Sequence, residues 1–567
     1  MSQKKSHFID DTLLILAMAV LAGCGLIYEY LLSHYAGRVL GVMESTIYTM
    51  IGLMIVSMGL GAFAARKVRC AFNGFVYLEL IIALLGACSI LIIGGLIAVT
   101  QTLPHIISDM FSLPPDMLPK GGAFKQLSTI AIKSPYFFGV TLGFLIGMEI
   151  PLIARIREEV HGQHLANNLG TIYGADYIGA GIGAAIWVIF LLSIDISKAA
   201  ALTASLNLIA GAFFVLRYWH KLTWRKTFIS LHFVLAFIIL LMFNYGNQWL
   251  NQMNSLLYLD KVVHVQKTRY QQLTFTERYL GVSADTEQSS IINFYINGRL
   301  QFSSLDEHIY HDYLVAPVLA GSARHDNILI IGGGDGLALR DVLKYNPTKV
   351  TLIDLDSELI DIFQEPEQYL NANLARKINH LNKGSLQDKR VTILRSDAFI
   401  TVNELLKTAQ VFDAIIVDLP DPSHPDLNKL YTVNFYARLQ QLLSGDGLIA
   451  IQSTSPYHAK DSFISIGKTL SAANFTHVQQ YHDNVPSFGE WGWTIGAKMG
   501  KSPLARLDNL TQLPVKHRWL NIDILKSAFI FPNDFYARKA DININTLGSH
   551  TLYQLHQKAW TTQQGLN

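Results

Sequence analysis

Along the first 246 residues, apolar positions run almost unbroken over lengths that suit a bilayer; beyond them they fall into shorter, punctuated runs. The long stretches number seven, at about residues 11–33, 46–65, 75–101, 134–155, 172–194, 198–218 and 228–246. Each is close to the roughly 20 residues that a helix needs to cross hydrocarbon. The first starts too early, and is followed by too many others, to be a cleaved signal peptide. In the second half, strand-length apolar runs alternate with helical spacing, which predicts a doubly wound parallel sheet. The predicted organisation is an α-helical membrane bundle over residues 1–250, a small β subdomain over 251–325 and an α/β domain over 326–567.

Two kinds of position interrupt the apolar stretches. Gly143 with Gly147, and Gly179 with Gly183, have the small-xxx-small spacing that lets helices pack closely in lipid. Glu29, Glu79, Glu149 and Asp176 lie within or near the edges of spans, where a charge is costly unless it faces the bundle interior or a water-filled cavity. They read either as an acidic path for a cationic solute or as protonated, hydrogen-bonded groups that serve packing. Basic residues crowd the N-terminus (Lys4, Lys5) and the loops after the second, fourth and sixth spans: Arg66, Lys67 and Arg69; Arg155 and Arg157; Arg217, Lys221, Arg225 and Lys226. The positive-inside rule makes those loops cytoplasmic, so seven spans of an inner-membrane protein put the C-terminal half outside. Supply of a cytosolic nucleotide argues for the cytoplasmic side, in which case the long 102–133 connection is where a span would be miscounted.

The stretch "ILIIGGGDGLALRDVLKY" (328–345) runs from a buried-strand pattern through a glycine-rich turn into helical spacing at 336–345. Glycines there allow a tight turn and let backbone N–H groups approach a ligand. Gly332 and Gly334 fit the dinucleotide fingerprint, but its third glycine position is Leu337. The sequence instead spaces Gly332, Gly334 and Gly336 as G-x-G-x-G, a pattern of folds that bind S-adenosyl compounds. The next strand, "KVTLIDLD" (349–356), ends in Asp354, placed to accept from both ribose hydroxyls. "RVTILRSDAF" (390–399) ends in Asp397, placed to accept from an adenine amino group; "FDAIIVDLPDP" (412–422) ends in Asp418 and Asp421; "GLIAIQSTS" (447–455) follows. Together these predict a Rossmann-like domain with its site along the carboxyl ends of the strands. Asp335, Asp354, Asp397, Asp418 and Asp421 then converge on one crevice. Such a pocket repels phosphates and carboxylates and attracts cations, so the implied ligands are a sulfonium nucleotide and a polyamine.

Composition narrows the field. Half of the 567 residues are hydrophobic, too many for an ordinary soluble enzyme, and the formal charge of +2 averages two unlike halves. No basic run interleaved with aromatics marks a nucleic-acid surface, so no nucleic-acid partner is expected. Cys24, Cys70 and Cys88 all fall in or beside the spans, which excludes a disulfide framework or a cysteine zinc site from the C-terminal half. "DEHIYHD" (306–312) offers His308 and His311 but no third ligand at suitable spacing, so no metal is expected.

The stretches "RYQQLTF" (269–275), "INGRLQFSSLDEHIYHDYL" (296–314), "IGGGDGLALRDVL", "LIDLD", "RSDAF" and "VDLPDPSHP" resemble the spermidine synthase (polyamine aminopropyltransferase) family over roughly residues 257–500. With the multi-span half, and with "STSPY" (453–457) and "PSFGEWG" (486–492), the chain is similar to the membrane-bound branch of that family. The resemblance implies transfer of an aminopropyl group from decarboxylated S-adenosylmethionine to an amine such as putrescine. Methylthioadenosine is released, and neither a metal nor a permanently bound cofactor is used. By position, it implies Gln271 and Pro425 as nucleoside contacts, and it matches Asp354 and Asp397, with Ala398 beside it, to the ribose and adenine contacts. It implies that Asp335, Tyr310, His311 and Gln301 line the aminopropyl and amine region. Asp418 resembles the proton acceptor and Asp421 its partner in holding the attacking amine, with Tyr310 as a proton relay. A carboxylate at Asp335 would repel intact S-adenosylmethionine and attract the ammonium left after decarboxylation. Two rivals stand beside this reading: an S-adenosylmethionine methyltransferase on the same fold, and a non-catalytic polyamine transporter or sensor. Asp335 and the Asp418–Asp421 pair argue against the first, while the intramembrane carboxylates favour the second.

The chain departs from the family at Leu419 and Pro420, where soluble members generally carry small hydroxyl-bearing residues, and at Phe488, where a tyrosine often helps hold the amine. Phe488, Trp491 and Trp493 would form an apolar wall with Glu490 holding the distal ammonium of a longer diamine, or the tryptophans would serve packing. Residues 257–320 read as short β pairs, with a hairpin turn at Asn297-Gly298. A lid-like β subdomain, and a contact between copies in a homo-oligomer, are expected of that segment.

Overall fold

The computed structural model describes residues 2–40, 43–111, 122–161, 168–256, 258, 260–279, 290–408 and 410–563. Two units make up the chain, Met1–Leu259 and Asp260–Asn567. The first is built of helices: α1 (Ser2–Leu40), α2 (Met43–Ala64), α3 (Ala71–Met110), α4 (Ala123–Gly147), α5 (Glu149–His161), α6 (Asn168–Ile189), α7 (Ile196–Arg217) and α8 (Arg225–Ser255). Among the described residues, seven helical stretches are long and apolar enough to cross a membrane, α4 and α5 together making one of them. Each overlaps one predicted stretch. Because α3 runs to Met110 and α4 starts at Ala123, most of the predicted 102–133 connection is helix; residues 112–121 lie outside the described residues.

Small residues bring the helices into backbone contact. A Cβ on Gly147 of α4 would sit 2.0 Å from the Met58 carbonyl oxygen of α2, and one on Gly179 of α6 would sit 1.9 Å from that of Ala19 on α1. A side chain at either position would hold the helices apart, and in lipid close van der Waals packing is what drives association. Basic side chains tie one end of this unit together. Arg155 donates to the carbonyls of Ala65, Val68 and Arg69 at 3.4, 2.7 and 3.3 Å, and Arg157 pairs with Asp11 at 2.6 Å and with Asn168 Oδ1 at 2.9 Å. Asn73 donates to Thr223 at 3.1 Å, so the starts of α3 and α8 meet there too.

The second unit opens with an antiparallel sheet, β1 (Lys261–Lys267), β2 (Gln272–Tyr279), β3 (Ser290–Ile296) and β4 (Arg299–Ser303), in that order. The β3–β4 turn is Asn297-Gly298, with φ of 50° and 81°, left-handed values that these residues tolerate in a two-residue hairpin. Phe275, Phe294 and Phe302 meet Phe363 of the helix Ser357–Gln364, ring centroids 5.8, 5.2 and 6.1 Å apart, and so anchor this sheet. Residues 307–320 correct the expectation of β pairs: they form a helix, Glu307–Ala320. Nearly every residue of it is buried, polar ones included, so no exposed polar stripe betrays the helical period.

The second sheet comprises β5 (Asn327–Gly332), β6 (Lys349–Asp354), β7 (Val391–Arg395), β8 (Phe412–Asp418), β9 (Leu443–Gln452), β10 (His477–Val485) and β11 (Gly489–Ala497). Their order is β10-β11-β9-β8-β5-β6-β7. β5 pairs in parallel with both β6 and β8, β6 with β7 and β8 with β9, whereas β10 and β11 form an antiparallel hairpin that the predicted parallel sheet does not include. Ile328 to Ile331 are fully buried, as in a central strand covered on both faces. The chain crosses from β5 to β6 on one side and back to β8 on the other, which opens a crevice at their carboxyl ends.

Candidate active site

The turn after β5 carries positive φ at Gly332 (81°), Gly333 (66°) and Gly336 (79°). A Cβ on Gly332 would lie 2.0 Å from the Asp418 carbonyl oxygen, and one on Gly334 2.8 Å from Asp354 Oδ2. Gly333, outside the predicted G-x-G-x-G set, is confined too, its Cβ position 3.2 Å from Asp418 Oδ2. The turn therefore presses one backbone segment against two strand-end carboxylates. Asp354 accepts from the Gly334 and Asp356 N–H groups, each at 3.0 Å, and Asp335 accepts from the Leu337 N–H at 2.9 Å. Burial nonetheless pushes both carboxyls up to about 6, the neighbouring Asp418 raising that of Asp335 further.

Helix Glu307–Ala320 supplies the facing wall. The Tyr310 hydroxyl donates to Asp418 Oδ1 at 2.7 Å, and its ring packs on Trp493 and Phe488, centroids 5.7 and 6.1 Å apart. His311 donates from Nδ1 to Glu307 Oε2 at 2.9 Å, and Glu307 accepts a forked pair from Arg340 at 2.8 and 3.0 Å. Burial opposes charge on His311, but the Glu307 bond and the fields of Glu307, Asp418 and Asp335 lift it to about 9. A fixed cation thus stands behind the aspartates. Burial raises the Asp418 carboxyl, with His311 and the Tyr310 bond pulling the other way.

Asp421 is held differently. Its Oδ2 accepts from His556 Nε2 at 3.1 Å and from the Thr454 hydroxyl at 3.3 Å, and its Oδ1 from Gln452 Nε2 at 3.2 Å. Burial works against its charge, yet these bonds and the Arg299 charge keep its carboxyl below the usual value. Thr454 has φ of 58°, a strained value for a β-branched residue, and Gln452 Oε1 accepts its N–H at 2.9 Å. The two carboxylates after β8 thus differ: Asp418 is inclined to take a proton, Asp421 to stay ionised.

The remaining predicted residues are distributed along the same strand ends with less convergence. Asp397 caps the helix Ala398–Lys407 through the Phe399 N–H at 2.9 Å and pairs with Lys429 at 2.6 Å. Ala398, 7% exposed, packs into the core below. Gln271 donates to Asp356 Oδ2 at 2.8 Å, beside Asp354; Pro425 opens the short helix Pro425–Asn428 and is half-buried. Gln301 donates to the carbonyls of Arg299 and Leu300 at 3.2 and 3.3 Å, and no bond joins it to the aspartates among the described residues. Glu490 is not brought into the cluster. It pairs with His482, which packs on Phe531, whereas Trp491 and Trp493 point to the other face of β11 toward Phe488 and Tyr310. Alternation along the strand separates them. Trp493 lies stacked between Tyr313 and Tyr481, 5.1 and 5.7 Å away, a packing position.

Sequence reasoning missed Gln452, Thr454 and His556 on Asp421, Glu307 behind His311, Asp356 beneath Gln271 and Lys429 on Asp397. Asp356 carried a signal, being a carboxylate two residues beyond Asp354. His556 carried none, since it stands far beyond the last strand.

The family description "Spermine/spermidine synthase domain" matches residues 307–509. The whole chain is 56% identical over 560 residues to a polyamine aminopropyltransferase of Shewanella oneidensis, covering 99% of this chain and 97% of that one. It is 32% identical to polyamine aminopropyltransferase 1 of Streptomyces coelicolor, covering 97% of this chain and 94% of that one. Among solved structures, it is similar to spermidine synthase from Thermotoga maritima (22% identity, TM-score 0.40, 50% of this chain and 87% of that one). It is equally similar to a spermidine synthase in complex with the transition-state analogue AdoDATO (22%, TM-score 0.41, 50% and 90%).

Proposed function

This chain belongs to the polyamine aminopropyltransferase family, and on that premise we propose that it moves an aminopropyl group from decarboxylated S-adenosylmethionine to putrescine, releasing methylthioadenosine. The observation that carries the reading is the Tyr310–Asp418 hydrogen bond of 2.7 Å, set beside Asp335 in a buried acidic crevice. Asp354 takes the ribose hydroxyls and Asp397 the adenine amino group, each carboxylate oxygen keeping a lone pair beyond its present bond. Gln271 and Pro425 border the nucleoside. Asp335 receives the ammonium of the aminopropyl arm and repels the carboxylate of an undecarboxylated nucleotide.

The acceptor amine arrives protonated, with a reference pKa of about 10.4, so freeing its lone pair near pH 7 costs on the order of 4–5 kcal/mol. Asp421, kept ionised, orients the ammonium; Asp418, raised by burial, is the better proton acceptor, and Tyr310 holds it in place. As the N–C bond forms, the C–S bond breaks and the sulfonium electrons return to a neutral thioether, which needs no acid. Holding amine, carbon and sulfur in line supplies much of the remaining rate. The seven apolar helices cross the lipid bilayer. Supply of a cytosolic nucleotide sets the catalytic half in the cytoplasm, whereas positive-inside counting over seven crossings points to the opposite side.

The test compares detergent-purified wild type with Asp418→Asn. Aminopropyl transfer should fall by roughly 10²–10⁴-fold, the range of general acid–base effects, with methylthioadenosine binding unchanged. Undiminished transfer in the variant would remove Asp418 from the mechanism, and a methylated amine product would replace the reaction itself.

A further inference from the structure

Inside the helical unit, a polar cluster gathers that the transfer chemistry does not use. Glu79 of α3 and Glu149 at the start of α5 are 2% and 1% exposed. They act electrostatically on each other and Asp176 of α6 acts on Glu149; the Tyr28 hydroxyl and Cys24 thiol of α1 feel the field of both glutamates. Asn207 of α7 donates to Glu79 Oε2 at 2.9 Å. The backbone breaks at the same place: α4 ends at Gly147, α5 begins at Glu149, and Pro151 offers no N–H to the Gly147 carbonyl. Breaks of this kind in apolar helices occur where protein or ligand satisfies the freed backbone.

Four buried atoms of the cluster have no hydrogen-bond partner among the described residues: Glu79 Oε1, Glu149 Oε2, Asn207 Oδ1 and Tyr28 OH. Among the described residues, no lysine or arginine acts on either glutamate. Leaving such acceptors dry and unpaired is costly. Protons on both carboxyls would add two donors to the Tyr28 hydroxyl and leave the cluster neutral, whereas an alkylammonium brings three N–H donors of its own and a charge that lets the carboxylates stay ionised. Metal ligation does not fit, since no three His, Cys, Asp or Glu among the described residues stand together as ligands. The surrounding buried faces are apolar, which suits a charge carried on an alkyl chain.

We propose that Glu79, Glu149 and Tyr28 form a second amine site, within the helical unit, that takes a linear alkyldiammonium of the class the C-terminal half aminopropylates. The choice of ligand rests on the amine-acting reading of that half. Equilibrium dialysis of radiolabelled putrescine against the detergent-purified full chain counts the sites. Wild type is expected to bind two amines per chain and Glu79→Gln/Glu149→Gln one, with aminopropyl transfer unchanged. Tyr28→Phe removes only a hydroxyl and should weaken the second site roughly tenfold, which keeps the proposal testable if the double variant does not fold. One amine per chain in wild type, two in the double variant, or a Tyr28→Phe isotherm identical to wild type overturns it. Two amines per chain without any transfer product would uphold this site and discard the aminopropyl reading instead.

Discussion

Asp335 and Asp354 are buried carboxyls pushed up from 3.8 to about 6, so burial favours their protonated forms more than water does. Each contributes stability that is fully present below about 3.8 and is lost as pH rises through about 6, roughly 3 kcal/mol per group at 1.36 per unit. A cationic nucleotide reverses the preference, because it favours the ionised forms. Its affinity should therefore rise as pH climbs from 5 to 7, with protons released on binding, while the ligand-free thermal midpoint loses this contribution between about 3.8 and 6. Calorimetric titration in buffers of different ionisation enthalpy measures the protons directly. An affinity flat across that range would mean that neither aspartate faces the cation. These carboxylates were legible in the sequence because Asp354 ends a strand and Asp335 sits in the turn that follows one, and strand ends meet at one edge of a parallel sheet. Their protonation was not, since it depends on burial and on His311, whose cationic state is set by Glu307 one helical turn away.

At the scale of elements, the last helix, Thr551–Gln563, reaches back to the site through one residue. It packs on the helix Lys460–Ala472 and sets His556 Nε2 3.1 Å from Asp421. We expect His556→Phe to keep the fold and the nucleotide KM but to raise the amine KM, lowering kcat/KM for the amine roughly thirtyfold, about 2 kcal/mol for one charge-assisted bond. An unchanged amine KM would make His556 a packing residue only. Nothing in the sequence announces this contact, because long-range packing has no local period. The hairpin β10–β11 shows the same limit in another form. Its apolar positions were legible as a wall, but strand parity sends Glu490 to the face opposite Trp491 and Trp493. Helix Glu307–Ala320 was hidden for a related reason: a helix buried on all sides has no amphipathic period to find.

At the scale of the whole chain, the two units were the most legible feature, since apolar length separates helices long enough to cross a bilayer from the shorter runs of a sheet without any tertiary knowledge. The glycine spacings at 143–147 and 179–183 also pointed to helix contacts, and the structure places backbone against backbone at both. Glu79 and Glu149 were visible as carboxylates in apolar stretches, though their gathering with Asn207 and Tyr28 needed the packing of α1, α3, α5 and α7. What unites the soluble half is the claim that its acidic crevice delivers an aminopropyl group to an amine. The measurement closest to that claim supplies decarboxylated S-adenosylmethionine labelled with ¹³C in the aminopropyl carbons, together with putrescine, and reads both products by mass spectrometry. The account predicts all of the label in the lengthened amine and unlabelled methylthioadenosine in equal amount. Label left on the nucleoside, or an amine heavier by a methyl group alone, would contradict it.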